Sequence, residues 1–166
     1  MVGEAANDAD EIETILEEAQ RLIKQADNRP PFSTPEDSNS ALSTLRKARD
    51  LYRQVGGTQE EQANCLHVIG RTLGAMGRHE EAVAAYREAL GVYYRLLDSG
   101  RDRADCLHEL GDALNEQGRY EEALVAYQSA LDIYHRDGGG GEREGTCLNR
   151  MRAVVEKIEQ RQGPDR

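Results

Sequence analysis

The stretch Ala63–Arg95, ANCLHVIGRTLGAMGRHEEAVAAYREALGVYYR, lies over Ala104–Arg136, ADCLHELGDALNEQGRYEEALVAYQSALDIYHR, without a gap, and 17 of the 33 paired residues are identical. Cys65, Cys106 and Cys147 mark the same spacing of 41 residues three times over. A fixed period of this size predicts stacked helical units, each burying its apolar face against its neighbours, rather than a single closed core.

Each unit carries two helical patterns. In the first, Leu66, Ile69, Gly70 and Leu73 fall at i, i+3, i+4 and i+7, one face of an α-helix. Gly77-Arg78 and Gly118-Arg119 then supply a turn, glycine being the usual residue just past a helix C-terminus. The second helix carries Ala82, Ala85, Tyr86, Ala89, Leu90 and Tyr93, matched by Ala123, Ala126, Tyr127, Ala130, Leu131 and Tyr134.

Projecting the period backward sets Ala41, Leu45, Ala48 and Tyr52 under Ala82, Tyr86, Ala89 and Tyr93, which predicts an earlier second helix over 36–55. Its partner is expected over 8–26, with Ile12, Ile15, Leu16, Ala19, Leu22 and Ile23 on one stripe. Between them DNRPPFSTPEDSNS holds three prolines, which exclude a continuous helix and predict an irregular loop. Forward, Cys147-Leu148 repeats Cys106-Leu107, but Arg152 stands in the place of Gly111, so a lone helix over 142–161 is expected to cap the stack. DGGGG at 137–141 reads as a flexible joint. The expected organisation is a single helical-repeat domain over 8–161: a divergent first pair at 8–55, repeats at 59–98 and 101–136, and the cap. Disorder is expected at 1–7 and 162–166.

The pattern resembles the tetratricopeptide repeat. Ile69-Gly70 and Leu110-Gly111 match its leucine-glycine pair, and Leu73 and Leu114 the large residue three positions on. Ala82 or Ala123, Tyr86 or Tyr127, and Ala89 or Ala130 match its second helix, and GRYEEAL at 118–124 its turn. The family's early tryptophan is Leu66 and Leu107 here, its closing proline is absent, and the period exceeds the usual 34. The resemblance implies an all-α, right-handed solenoid of about seven helices. It further implies a concave groove that binds peptides or proteins, without chemistry or cofactor of its own. The longer period is like that of kinesin light chains, cell-polarity adaptors and some bacterial regulators.

The groove in such arrays is lined by the first helix of each unit. That face predicts Asn64, His67, Arg71 and Gly74, then Asp105, His108, Asp112 and Asn115, then Thr146, Asn149 and Ala153 as lining residues. Residues 63–95 carry three acidic and four basic side chains, whereas 104–136 carry seven and two, so the charge of −5 in one repeat is half the net −10 of the chain. A groove of this kind selects a basic or bipolar segment, although acidic helix faces are also simply how such helices stay solvated. The lysine and asparagine clamp with which some arrays hold acidic chaperone tails is broken: its positions hold His67, Arg71, Glu109, Thr146 and Arg150.

Other classes fit less well. A pI near 4.9 disfavours nucleic acid and anionic membranes. The N-terminus lacks a secretory pattern and no segment is apolar enough to span a bilayer, so a cytoplasmic location is expected. His67, His108 and Asp112 follow no metal-ligand spacing, so no metal is expected. Cys65 and His67, like Cys106 and His108, point to helix faces about 200° apart and form no nucleophile-base dyad, so no enzyme is expected. The three cysteines are expected as buried packing residues, and Tyr52, Tyr93 and Tyr134 as a packing ladder with hydroxyls in solvent. The leading expectation is an interaction adaptor or scaffold. The alternative is a ligand- or signal-peptide-responsive sensor acting through a partner protein, and self-association through the end helices is compatible with both.

Overall fold

A computed structural model of the chain describes residues 2–27, 35–55, 59–96, 100–138 and 141–162. Among them every regular element is an α-helix: α1 (Val2–Asp27), α2 (Pro35–Val55), α3 (Gln59–Ala75), α4 (His79–Tyr93), α5 (Gly100–Glu116), α6 (Tyr120–Arg136) and α7 (Glu142–Gln162).

The turns after α3 and α5 are the same structure made twice. Gly77 and Gly118 take φ of 73° and 71°, a conformation that costs a residue with a Cβ far more than glycine. That conformation lets the Arg78 N–H reach the Leu73 carbonyl at 2.9 Å and the Arg119 N–H the Leu114 carbonyl at 3.0 Å. The glycine N–H groups meanwhile donate to Gly74 and Asn115, so the last carbonyls of each helix are satisfied and the chain reverses within three residues.

The pairs close on a specific contact. A Cβ at Gly70 would lie 2.6 Å from the ring of Tyr86, and one at Gly111 would lie 2.7 Å from the ring of Tyr127. The glycines are therefore required by the close approach of a tyrosine ring to the helix backbone. The small residues around these rings, Ala82, Ala89, Ala123 and Ala130, are all buried. Between pairs, Cys65 Sγ donates to the Leu45 carbonyl, Cys106 to that of Tyr86 and Cys147 to that of Tyr127, each acceptor 20 residues earlier. All three thiols are free and buried, and burial pushes Cys65 and Cys147 up to about 12.

Successive helices pack against one another, and α1 also touches α3, α3 touches α5, and α5 touches α7. Among the described residues α2, α4 and α6 make no such contacts with each other. The stack therefore bends with α1, α3, α5 and α7 on the inside of the curve. The core runs through it without a break, from Ala19 through Leu45 and Tyr52 to Cys147 and Val154.

Several boundaries differ from expectation. Helix α1 begins at Val2, so disorder over 1–7 does not hold for residues 2–7. Helix α2 begins at Pro35, whose fixed φ suits a first helical turn, one residue before the expected start at 36. Residues 28–34 of the expected loop lie outside the described residues, as do 139–140 of the expected joint and 163–166 of the expected tail; Gln162 closes α7. Helix α7 leaves Leu148 and Val155 exposed where their counterparts Leu107 and Leu114 are buried under α6.

The tyrosine ladder also differs. Tyr93 Oη donates to Asn64 Oδ1 at 2.5 Å and Tyr134 Oη to Asp105 Oδ1 at 2.7 Å, so these hydroxyls tie each second helix to its own first helix instead of facing solvent. Tyr52 is fully buried with no partner for its hydroxyl among the described residues, because the residue 29 positions earlier is Ile23.

Candidate functional site

On the inner face, α3, α5 and α7 bound a cleft of about 410 Å³ lined by Arg71, His79, Tyr86, Glu109, Asp112, Glu116 and Arg150, with Gly74, Ala75 and Ala113 as its small residues. Helix α5 supplies the acid. Glu109, Asp112 and Glu116 follow one another at i, i+3 and i+7, so their carboxylates share a face.

Two of the three carboxylates are held. Glu109 Oε2 lies 3.0 Å from His67 Nε2 and accepts a hydrogen bond from Tyr86, with Arg71 close by. Burial pushes the Glu109 carboxyl up, but those hydrogen bonds and the two positive groups outweigh it and hold it below the ordinary carboxylate value. Asp112 Oδ1 accepts the Tyr127 hydroxyl at 2.6 Å, and Arg150 approaches it only to 3.5 Å. Glu116 is exposed and has no partner among the described residues. The cleft thus presents one free carboxylate beside a loosely paired Arg150–Asp112, with Arg71 on the opposite wall.

Of the residues expected in the groove, Arg71, Gly74 and Asp112 line this cleft and the others are placed elsewhere. Asn64 is occupied by Tyr93, and Asp105 by Tyr134 and Arg143. His67 is spent on Glu109. His108 packs edge-on against the Tyr127 ring at 5.7 Å, its Nε2 buried without a partner among the described residues. The contrast between the two histidines follows from the period: 42 residues on from His67 stands Glu109, and 42 on from His108 stands Arg150. Asn115 is buried and accepts from Lys157 Nζ at 2.9 Å. Asn149, Thr146 and Ala153 are exposed along α7, Thr146 bonded back to the Glu142 carbonyl.

The expected lining omitted His79, Tyr86, Glu109, Glu116 and Arg150: Glu109 and Arg150 stood as clamp positions, Tyr86 as a packing residue of the repeat, and Glu109 and Glu116 as acidic residues of the helix that make an acidic peptide a poor occupant. The signal was the spacing Asp105, Glu109, Asp112, Glu116, a stripe rotated by one residue from the one chosen.

The tetratricopeptide repeat profile matches residues 36–95 and 76–136, together more than half of the chain. Among solved structures, the apo form of RapI is similar with a TM-score of 0.75 at 14% identity, over 88% of this chain and 39% of RapI. A Podosopora anserina protein described as a kinesin light chain with nearly identical TPR-like repeats aligns at a TM-score of 0.67 and 16% identity, over 92% of this chain and 69% of that one. BtubC from P. vanneervenii aligns at 0.58 and 16%, over 89% and 66%. No curated protein matches the sequence. The chain spans about two fifths of the length of RapI, and at these identities the likenesses establish the fold alone. With a repeat profile across its centre and solenoids of the same kind as its structural neighbours, the chain belongs to the tetratricopeptide repeat family.

Proposed function

We propose that the chain is a non-catalytic adaptor that holds a bipolar segment of a partner protein in the cleft between α3, α5 and α7. The observation that carries this reading is the free carboxylate of Glu116 in a cleft of about 410 Å³ whose two arginines, Arg71 and Arg150, flank it. A basic side chain of the partner meets Glu116, and an acidic one meets Arg150 as it leaves its long contact with Asp112. The exposed 3.5 Å pair costs little to break, because surface ion pairs contribute about 0–1 kcal/mol. The Glu109 cluster has no such freedom and acts as the rigid wall of the site.

The test is a capture experiment with the immobilised chain from its native lysate, followed by titration of the captured protein against parent and Glu116→Lys. Weaker binding to Glu116→Lys, with an unchanged melting curve, supports the cleft. Equal binding removes it. Glu116 is preferable to Asp112, whose reversal strands the Tyr127 hydroxyl.

A further inference from the structure

The other side of α5 carries a second cleft. Leu107, Leu110 and Leu114 form its floor, Tyr94, the residue just past the end of α4, stands at one wall, and Val125, Ala126 and Ser129 of α6 form the other; its volume is about 420 Å³. These leucines lie about 180° around the helix from Glu109, Asp112 and Glu116, so this cleft opens on the outside of the curve. Val125 is 68% exposed and Tyr94 60%, the two most exposed large apolar side chains among the described residues.

The period supplies an internal control. The corresponding cleft between α2 and α4 has Leu66, Ile69 and Leu73 as its floor, with Arg53, Ala84 and Glu88 at the places of Tyr94, Val125 and Ser129. There Arg53 and Glu88 form an ion pair at 2.9 Å that closes the cleft at that end. At the opposite end both clefts are alike: Arg46 approaches Glu81, and Arg87 pairs with Glu122 at 2.9 Å. The α2–α4 cleft has an ion pair across one end and neighbouring opposite charges at the other. The other has lost one closing pair, gained a valine at its lip, and keeps Tyr94 braced upright by the Arg103 guanidinium 5.2 Å over its ring.

We propose that this outer cleft docks an amphipathic helix of a partner protein, with aliphatic side chains downward and a basic residue at one end. The floor from Leu107 to Leu114 is seven residues, about 10 Å of helix, which seats side chains at i, i+3 or i+4, and i+7. Charge fixes the direction. Around the first turn of α6, Glu122 pairs with Arg87 and Arg119 and Glu80 lies near Arg119, whereas Glu121, which lines the cleft, has no partner among the described residues. A lysine or arginine of the docked helix over Glu121 completes the balance. An exposed apolar patch rimmed by charge is the ordinary mark of an interaction site.

The test uses a synthetic amphipathic helical peptide with leucines at i, i+3, i+4 and i+7 and lysines at one end, labelled for fluorescence anisotropy. A control peptide carries glutamine at the leucine positions. The parent is expected to bind the leucine peptide saturably and the glutamine peptide not at all. Tyr94→Arg with Ser129→Glu, which recreates the closing pair of the neighbouring cleft, should weaken binding about tenfold or more, as should Val125→Asp. Glu121→Lys should weaken binding and flatten its salt dependence. Glu116→Lys, on the inner face, should leave it unchanged. The proposal is overturned if the leucine peptide does not bind, if the closed-cleft variant binds as the parent does, or if Glu116→Lys is the variant that abolishes binding. Because the altered positions are exposed, or half-buried in the case of Ser129, matching thermal melts separate these outcomes from loss of fold.

Discussion

His67 and His108 occupy equivalent positions and do unequal things. His67 Nε2 is within 3.0 Å of a carboxylate that is itself partly buried, whereas His108 Nε2 is buried and unmatched among the described residues. Removing one partner of a buried polar pair costs more than removing a group that has none. His67→Phe should therefore destabilise by about 1–2 kcal/mol, and His108→Phe by less than about 0.5 kcal/mol. Denaturant melts of the two variants decide it; equal losses would refute the asymmetry. The same cluster sets an acid limb. Glu109 is held below its ordinary value of 4.5, so its charged form contributes stability above that pH, and the contribution is lost as pH falls below about 4.5 through its folded value. Glu109→Gln should be less stable than the parent at pH 7, and the gap should narrow steadily below pH 4.5. A gap that stays constant to pH 3 would show that the charge of Glu109 contributes nothing.

At the scale of elements, the pairs α3–α4 and α5–α6 are fixed by two glycines each. Gly111→Leu drives a side chain into a Tyr127 ring that already lies 2.7 Å from a Cβ position, and should cost about 3 kcal/mol by overpacking. Gly118→Ala meets no neighbour but must adopt φ of 71°, and should cost about 1–2 kcal/mol. Thermal melts that rank Gly118→Ala as the more damaging would contradict this account of the two positions. These elements were legible in the sequence, since the leucine-glycine spacing, the Gly-Arg turns and the alanine-tyrosine stripe each carry a period of 41 residues. The rotation of the inner face was not. Which of His108, Glu109 and Asp112 face the cleft depends on a few tens of degrees about the helix axis, and the core stripe fixes that angle only loosely. Nor could the sequence show that Asn64 and Asp105 are spent inside the fold on tyrosines 29 residues ahead, because that pairing arises from packing of the second helix on the first. The start of α1 was missed for a simpler reason: residues 2–7 contain no apolar stripe to count.

At the scale of the whole molecule, the net charge of −10 is divided unevenly: α1 carries −6 and α5 −3, and the inner cleft displays carboxylates of α5 alone. Binding through exposed charge of this kind weakens as salt rises, because screening sets in over about 8 Å at physiological ionic strength. The central claim is that a partner segment sits on the inner face beside Glu116. It is tested most directly by calorimetric titration of the captured partner against the parent, Glu116→Lys, and Tyr94→Arg with Ser129→Glu, each at low and high salt. The account predicts that Glu116→Lys alone weakens this partner, by about tenfold or more at low salt, and that the difference shrinks as salt is raised. Undiminished affinity for Glu116→Lys at low salt would contradict it.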